Sequence, residues 1–504
     1  MLFSSVVFLF VYLPITLAAY YACFVWSLRE GPRAAGWRRA SHLLLFVASL
    51  FFYVWGEMAL VAVMLFSTIV DYGCGLRIDR ARGRLAAAAS GARPGKAWLI
   101  ASILTNLSLL GVFKYANFGI ENFNALAVAA GLEHLALTDF AGIALPLGIS
   151  FYTFQSMSYT IDVYRGQVPA TRSFVDFACY VTMFPQLVAG PIVRYADVAE
   201  QLIRRSLGIE LVASGVTRFT IGLAKKVLIA NTVAVPADAI FGMEVGQLTA
   251  FHAWLGVVCY SLQIYFDFSG YSDMAIGLGR MLGFRYPENF RYPYVARSNQ
   301  DFWRRWHISL STWFRDYLYI PLGGNRVGAA RNYLNLVLVF FLCGLWHGAS
   351  WNFVLWGLYH GGFLIAERLG LEGGLRRRPR ALQHAYLLLV AMGGWVLFRA
   401  ETLGQAGAVY AAMAGFGAGD GQALHFLQPH TVAAIAAGLL FATPVAPRIA
   451  LALARTADAG RRPAGLAAGL SLAVGQPLLV AGLLLVSVMV LSAGTYNPFI
   501  YFRF

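Results

Sequence analysis

Apolar runs approaching twenty residues recur from one end of this chain to the other, separated by short loops that carry arginine. Nothing else in the sequence restricts the fold as strongly. About twenty apolar residues in helical form cross the ~30 Å hydrocarbon core of a bilayer. Backbone in lipid must satisfy its own hydrogen bonds, which leaves helices or a closed barrel. A barrel would show alternating strands of about ten residues, and none is present. The sequence therefore predicts an all-α polytopic membrane protein. Its composition agrees: 59% hydrophobic and 12% charged, where soluble domains carry about 25% charged residues. The net charge of +15 resides in loops between apolar runs, the distribution of cytoplasmic loops facing membrane lipids. It is not the footprint of nucleic-acid binding, and no nucleic-acid partner is expected.

Taken in order, the first span is expected at about 3–26 and reads as a retained anchor rather than a signal peptide. A basic loop follows at 27–40, with Arg29, Arg33, Arg38 and Arg39. The run 42–70 contains Glu57, and a second basic loop lies at 76–96. If both loops are cytoplasmic, an even number of crossings separates them, so two short helices turning at Glu57 are expected. Lys114, near the end of the 97–116 span, is expected to snorkel to the interface. In 144–166 helix should start after Pro146 and pack on protein, because hydroxyls are scattered through it. Pro185 and Pro191 break 174–195, and broken backbone at membrane depth is tolerated only where protein covers it. Lys225 and Lys226 are expected to reach the cytoplasmic interface and attract an acidic lipid or anionic cofactor. In 267–290, Gly270 is read as a helix break flanked by Asp267 and Asp273, with Arg280 and Arg285 as partners. The two carboxylates are either helix-to-helix glue or channel lining. Further spans at about 384–400, 431–446 and 470–492 bring the total to 10–12 crossings in a single domain, 1–504. The five cysteines form no metal or redox spacing and read as buried hydrophobes.

The stretch 299–362 is where chemistry is expected. It holds three of the nine histidines, His307, His347 and His360, and six tryptophans. Residues 302–318 fit one amphipathic helix, with Trp303, Trp306, Leu310, Trp313 and Tyr317 on one side and Arg304, His307, Ser311 and Arg315 on another. The indoles would anchor it at the interface. Arg304, Arg305 and Arg315 would hold donor phosphates or lipid headgroups. His347 ends an apolar run and is followed by a second one. An imidazole in such surroundings stays neutral and is suited to take a proton from a hydroxyl. Gly344, Gly348 and Ala349 leave room beside it. His360 is either structural or a further site residue, and Ser311 and Asn352 are supporting or channel-lining candidates. No metal is expected, because no ligand pair has a metal spacing and no HExxH occurs. The chemistry that fits is acyl transfer from a thioester to a hydroxyl. The acceptor must lose a proton as it attacks, whereas a thiolate leaves with little acid help. Cys343 is a weak candidate for an acyl-enzyme nucleophile, since an apolar run does not activate a thiol.

FWRRWHISLSTWFRDYLYIPLGGNR at 302–326 and GLWHGASWNFVLWGLYHG at 344–361 resemble the two signature blocks of the membrane-bound O-acyltransferases. Supporting blocks are PLGISFYTFQSMSYTIDVYRG at 146–166, MFPQLVAGPIVRY at 183–195, IYFDFSGYSDMAIGLGRMLGF at 264–284 and YNPFIYF at 496–502. The resemblance is closest to the bacterial branch that O-acetylates polysaccharides. It implies a ring of about 10–12 tilted helices, some re-entrant or broken, around a central funnel. It also implies His347 as catalytic base and His307 as second active-site histidine. The expected donor is acetyl-CoA, with no permanently bound cofactor. The expected acceptor is a polysaccharide hydroxyl, alginate foremost and peptidoglycan or cellulose as alternatives. A periplasmic acetyl-accepting or acetyl-transferring protein is the implied partner, and the bacterial inner membrane the location. A polysaccharide or lipid transporter is the rival from another class, but it predicts inverted repeats that the sequence lacks.

Overall fold

The apolar runs all become helices, and no strand occurs among the described residues. The structure, a computed structural model, describes residues 1–504 apart from 28–33, 87–93, 139, 141, 418, 420–422, 459–462, 495 and 501–504. Arg29, Arg33, parts of the 76–96, 401–430 and 448–462 stretches, and the last two residues of YNPFIYF lie outside the described residues.

Seven helices among the described residues are long and apolar enough to cross a membrane, or eight if one bent pair is counted as a span. They begin with α1 (Phe8–Ser27), followed by α2 (Ala34–Glu57) and α3 (Val61–Ala86). The expected hairpin between these last two does not form. The break does fall at Glu57, but a single 3-10 turn, Met58–Leu60, joins two long helices into one 48-residue stretch, Gly36–Gly83. At ~1.5 Å per residue either helix is long enough to span by itself. Next come α4 (Lys96–Ala129), α5 (Ile149–Arg165) and α6 (Phe174–Thr182). They are followed by α7 (Ile209–Phe241) and α8 (Ala250–Met281). Two short helices, α9 (Asn299–Trp303) and α10 (Ile308–Phe314), precede α11 (Ala329–His347), α12 (Trp351–Ala366) and α13 (Arg380–Arg399). The chain ends with α14 (Pro429–Phe441) and α15 (Val445–Asp458), bent by 60°, and α16 (Ala467–Ser492). Helices α5, α6 and α12 are shorter than a spanning helix.

The chain divides into two compact units: Met1–Ala213 with Leu278–Pro287 and Gly348–Ser350, and Ser214–Gly277 with Glu288–His347 and Trp351–Phe504. In the first, α3 packs on α4 and α5. There a buried carboxylate, Asp71, accepts hydrogen bonds from Ser102 at 2.6 Å and from Asn106 at 2.8 Å, so helix α3 is tied to α4 by polar atoms rather than by oil. Lys114 does not snorkel. It is buried and donates to Ser150 Oγ at 3.3 Å, because the helix beyond it continues to Ala129. Helix α5 starts after Pro146 and is buried along nearly all its length, and the backbone after Met183 is broken and buried, both as expected.

In the second unit, α8 runs unbroken through Gly270. That glycine is a contact point, not a break: a Cβ on it would lie 2.8 Å from Gly222 O, and a Cβ on Gly222 would lie 2.5 Å from Gly270 O. Close approach of α7 and α8 brings their charges together. Asp273 pairs with Arg218 at 2.6 Å and Lys225 at 2.7 Å, and Asp267 pairs with Lys226 at 2.8 Å. The partners in these pairs are on α7, whereas Arg280 and Arg285 were expected from sequence. Lys226 is buried in its pair, whereas Lys225 is paired with Asp273 and stays partly exposed.

Candidate active site

The stretch 302–318 is not one helix. Ser298 Oγ caps α9 by accepting from Asp301 N at 3.1 Å, and α9 ends at Trp303. The chain then kinks at His307, whose φ of 42° and ψ of 55° place it in the left-handed region rare for a residue with a side chain. Backbone bonds hold the kink: Ile308 N donates to Asn289 O and Arg291 N to Arg305 O, both at 2.9 Å. The kink removes the expected faces. Trp303, Trp306 and Trp313 turn inward and are buried instead of lying at the interface, while Arg304 is exposed and His307 is fully buried.

Asn289 sets the chemistry of His307. Its Oδ1 accepts from Ser309 N at 3.2 Å and Ser309 Oγ at 2.9 Å, and its Nδ2 donates to Ser272 Oγ at 3.1 Å. The amide orientation is thereby fixed, so the contact of 3.2 Å from His307 Nδ1 to Asn289 Oδ1 requires the proton on Nδ1. Nε2 is then the basic atom of the ring. His307 lies in the segment between α8 and α11 that no candidate span contains, and burial pushes its pKa below the ordinary value, which keeps it neutral.

His347 is the last residue of α11, and α12 folds back from it. The two helices touch backbone to backbone: a Cβ on Gly344 would sit 2.3 Å from Phe353 O, and one on Gly357 would sit 2.2 Å from Phe340 O. This contact fixes the end of α11. The His347 ring is framed edge-on by Trp356 at 4.8 Å and Phe398 at 5.3 Å, and its centroid lies 6.4 Å from that of His307. His347 is the one titratable side chain lining a cavity of about 10 Å³ walled by Trp306, Trp356, Trp395, Phe398, Phe268, Ile264 and Ile500. That is room for about one water.

The other expected site residues scatter. His360 is fully buried, its Nδ1 3.1 Å from Asn299 Oδ1 and its ring stacked on Phe302, and a Cβ on Gly394 would meet its Nε2 at 2.5 Å. It braces α12 against α9. Asn352 donates to Ala400 O at 2.7 Å, tying α12 to the end of α13, and Ser311 donates to Trp306 O at 3.5 Å, a local tie. Arg305 is paired with Asp301 at 2.9 Å and Arg315 with Asp316 at 2.6 Å, so each has a carboxylate on its own segment. Asp267 holds the chain end, accepting from Ile500 N at 2.9 Å, and Asp273 belongs to the Arg218–Lys225 network. The five cysteines are free, Cys343 among the buried ones. Among the described residues no three of His, Cys, Asp and Glu gather as metal ligands. Asn289, Trp356, Trp395 and Ile500 were not singled out from sequence. Trp356 and Ile500 lay in blocks quoted there without being marked, and a lone Asn in YPENF carries no signal until the fold brings it to His307.

A polytopic helical membrane protein that brings two buried histidines, one in a kinked segment and one at a helix hairpin, within 6.4 Å of each other has the parts of a membrane acyltransferase site. The chain belongs to the membrane-bound O-acyltransferase family, whose model matches residues 167–373. It is similar over its full length, 43% identical over 518 residues and 100% of both chains, to a probable alginate O-acetylase of Pseudomonas putida. The corresponding protein of Pseudomonas aeruginosa is 46% identical over 420 residues, 83% of this chain and 75% of that one. A peptidoglycan O-acetyltransferase of Helicobacter pylori is 36% identical over 446 residues, 82% of this chain and 80% of that one. The chain is an O-acetyltransferase of this family and a multi-pass membrane protein.

Proposed function

We propose that this enzyme moves an acetyl group from a cytoplasmic thioester, acetyl-CoA, to hydroxyls of an exported polysaccharide, alginate foremost, at the bacterial inner membrane. The observation that supports the reading is the approach of His307 to His347, which lines a small apolar cavity. The names of the relatives support the acceptor class, and the periplasmic partner expected from the resemblance would receive or place the acetyl group.

In this mechanism His347 takes the acceptor's proton as the hydroxyl oxygen attacks the thioester carbonyl. The C–S bond breaks, and the proton passes from the imidazolium to the departing thiolate. His307, neutral and fixed by Asn289, orients the acceptor through Nε2. A water-poor aromatic surround limits hydrolysis of the thioester. All 504 residues act as one domain in this reading.

The test uses the purified protein in detergent with labelled acetyl-CoA and a short polymannuronate, comparing wild type with His347→Ala. Transfer should fall by a factor of about 10² or more while the variant still folds. Equal transfer by the variant would place the base elsewhere. Labelled sugar crossing vesicles without acetylation would support a transporter instead.

A further inference from the structure

Just beyond α16, the chain end returns into the second unit and is fastened there. Asp267 Oδ2 accepts from Ile500 N at 2.9 Å, Lys226 donates to Pro498 O, and Asn231 Nδ2 donates to Asn497 Oδ1 at 3.1 Å. Phe499 packs on Tyr271 with ring centroids 5.1 Å apart. Lys226 and Asp267 are themselves an ion pair at 2.8 Å, and both are almost wholly buried. A buried pair of this kind is a costly device for stability alone; here it supplies the donor and acceptor that fix an extended segment whose own backbone has no helix to bond to. The consequence is positional: Ile500, 4% exposed, becomes one wall of the cavity at His347.

We propose that Ile500, held in place by Asp267 and Lys226, sets the size limit on the transferred acyl group. The inference rests on the reading of His347 as the transfer site. The cavity beside that imidazole is about 10 Å³ and, His347 apart, is walled by apolar and aromatic side chains, which is room for a methyl-sized group. Apart from Trp306 in the kink, the other apolar walls, Ile264 included, belong to helices packed on one another, whereas Ile500 is on a tethered strap and is the wall whose truncation opens space without dismantling the helix packing. A pocket with one methylene too few or too many discriminates by about 10–200-fold.

The experiment compares wild type, Ile500→Ala and Ile500→Val for transfer from acetyl-CoA and propionyl-CoA, with equilibrium binding of both thioesters measured alongside. In Ile500→Ala the propionyl-to-acetyl ratio of kcat/KM should rise about tenfold or more, and the ratio of affinities should move the same way. Ile500→Val, a smaller change, should shift both ratios in the same direction and carries the test if the alanine variant fails to fold. Unchanged ratios in a folded variant, with His347→Ala inactive, would overturn this inference and leave the transfer reading intact. Binding of neither thioester by wild type would overturn both.

Discussion

Asn289 is the residue through which the proposed geometry is most exposed to attack. It is 1% exposed and makes four side-chain hydrogen bonds, three into Oδ1 and one from Nδ2. In Asn289→Ala the hydroxyls of Ser309 and Ser272 can rotate to other acceptors. The Ser309 N–H and the His307 Nδ1–H cannot. Each stranded donor costs about 1–3 kcal/mol, so the variant should lose about 2–6 kcal/mol of stability, unless His307 moves its proton to Nε2. That escape removes the basic atom of the ring from the site, so either route damages function. A fall in kcat of about 10²-fold is expected from misplacement or the wrong tautomer, with KM for the thioester little changed. Asn289→Asp separates position from protonation. It keeps an acceptor for Nδ1 and Ser309, but its carboxylate favours imidazolium and raises the pKa of His307. A raised pKa leaves the ring charged below it and neutral above it, so activity of this variant should be lost as pH falls and recovered as pH rises, with its acid limb shifted upward relative to wild type. Rates across the pH range with labelled acetyl-CoA, and unfolding followed by tryptophan fluorescence, measure both effects. A folded Asn289→Ala protein with at least half the wild-type kcat would refute the role given to His307.

Other expectations follow from single contacts. Gly357→Ala puts a Cβ 2.2 Å from Phe340 O and should separate α11 from α12, abolishing transfer and lowering the unfolding temperature, whereas Gly362→Ala, with nothing within 4 Å, should leave both near wild type. Lys226→Met strands the buried carboxylate of Asp267; it should destabilise by about 3–5 kcal/mol, and the Lys226→Met/Asp267→Leu double variant should recover part of that in a double-mutant cycle. His307→Gly should be more stable than His307→Ala by about 1 kcal/mol, since glycine takes a φ of 42° without the Cβ penalty. Equal unfolding temperatures would mean the kink relaxes. Neither variant should transfer acetyl groups at the wild-type rate.

Legibility in the sequence followed the range of the interaction. Spans such as 334–346 and 470–492 were readable because burial in lipid is a local, per-residue property, and His347 at the end of one was conspicuous for the same reason. Proline at 185 and 191 announced broken backbone because it removes donors wherever it occurs. Glycine did not announce its role: Gly270 reads as a break, yet opposite Gly222 it allows two helices to meet at backbone distance. The periodicity of 302–318 was misleading, since one left-handed residue at 307 turns the chain after it out of line with the segment before it, and Trp303, Trp306 and Trp313 are all buried. Charge pairing failed to be local in the same way. Asp267 and Asp273 found cations on α7 rather than the nearer arginines in sequence, because the glycine-lined crossing put α7 within reach.

These pairings bear on how the proposed transfer manages protons. In the second unit Asp267 is matched by Lys226, Asp273 by Arg218 and Lys225, and Asp238 by Arg399 at 2.7 Å. Each of these carboxylates is already engaged by a cation across a helix contact, and none of them lines the cavity. At the cavity wall itself the one titratable side chain is His347, with His307 behind it at 6.4 Å between ring centroids. A proton released by an attacking hydroxyl there has an imidazole as its nearest base and the leaving thiolate as its natural destination. The charged pairs hold the helices and the chain end, the imidazoles carry the proton, and the two duties fall on different residues. Substitutions in the pairs should therefore act on stability and acyl preference, and substitutions in the imidazoles on kcat.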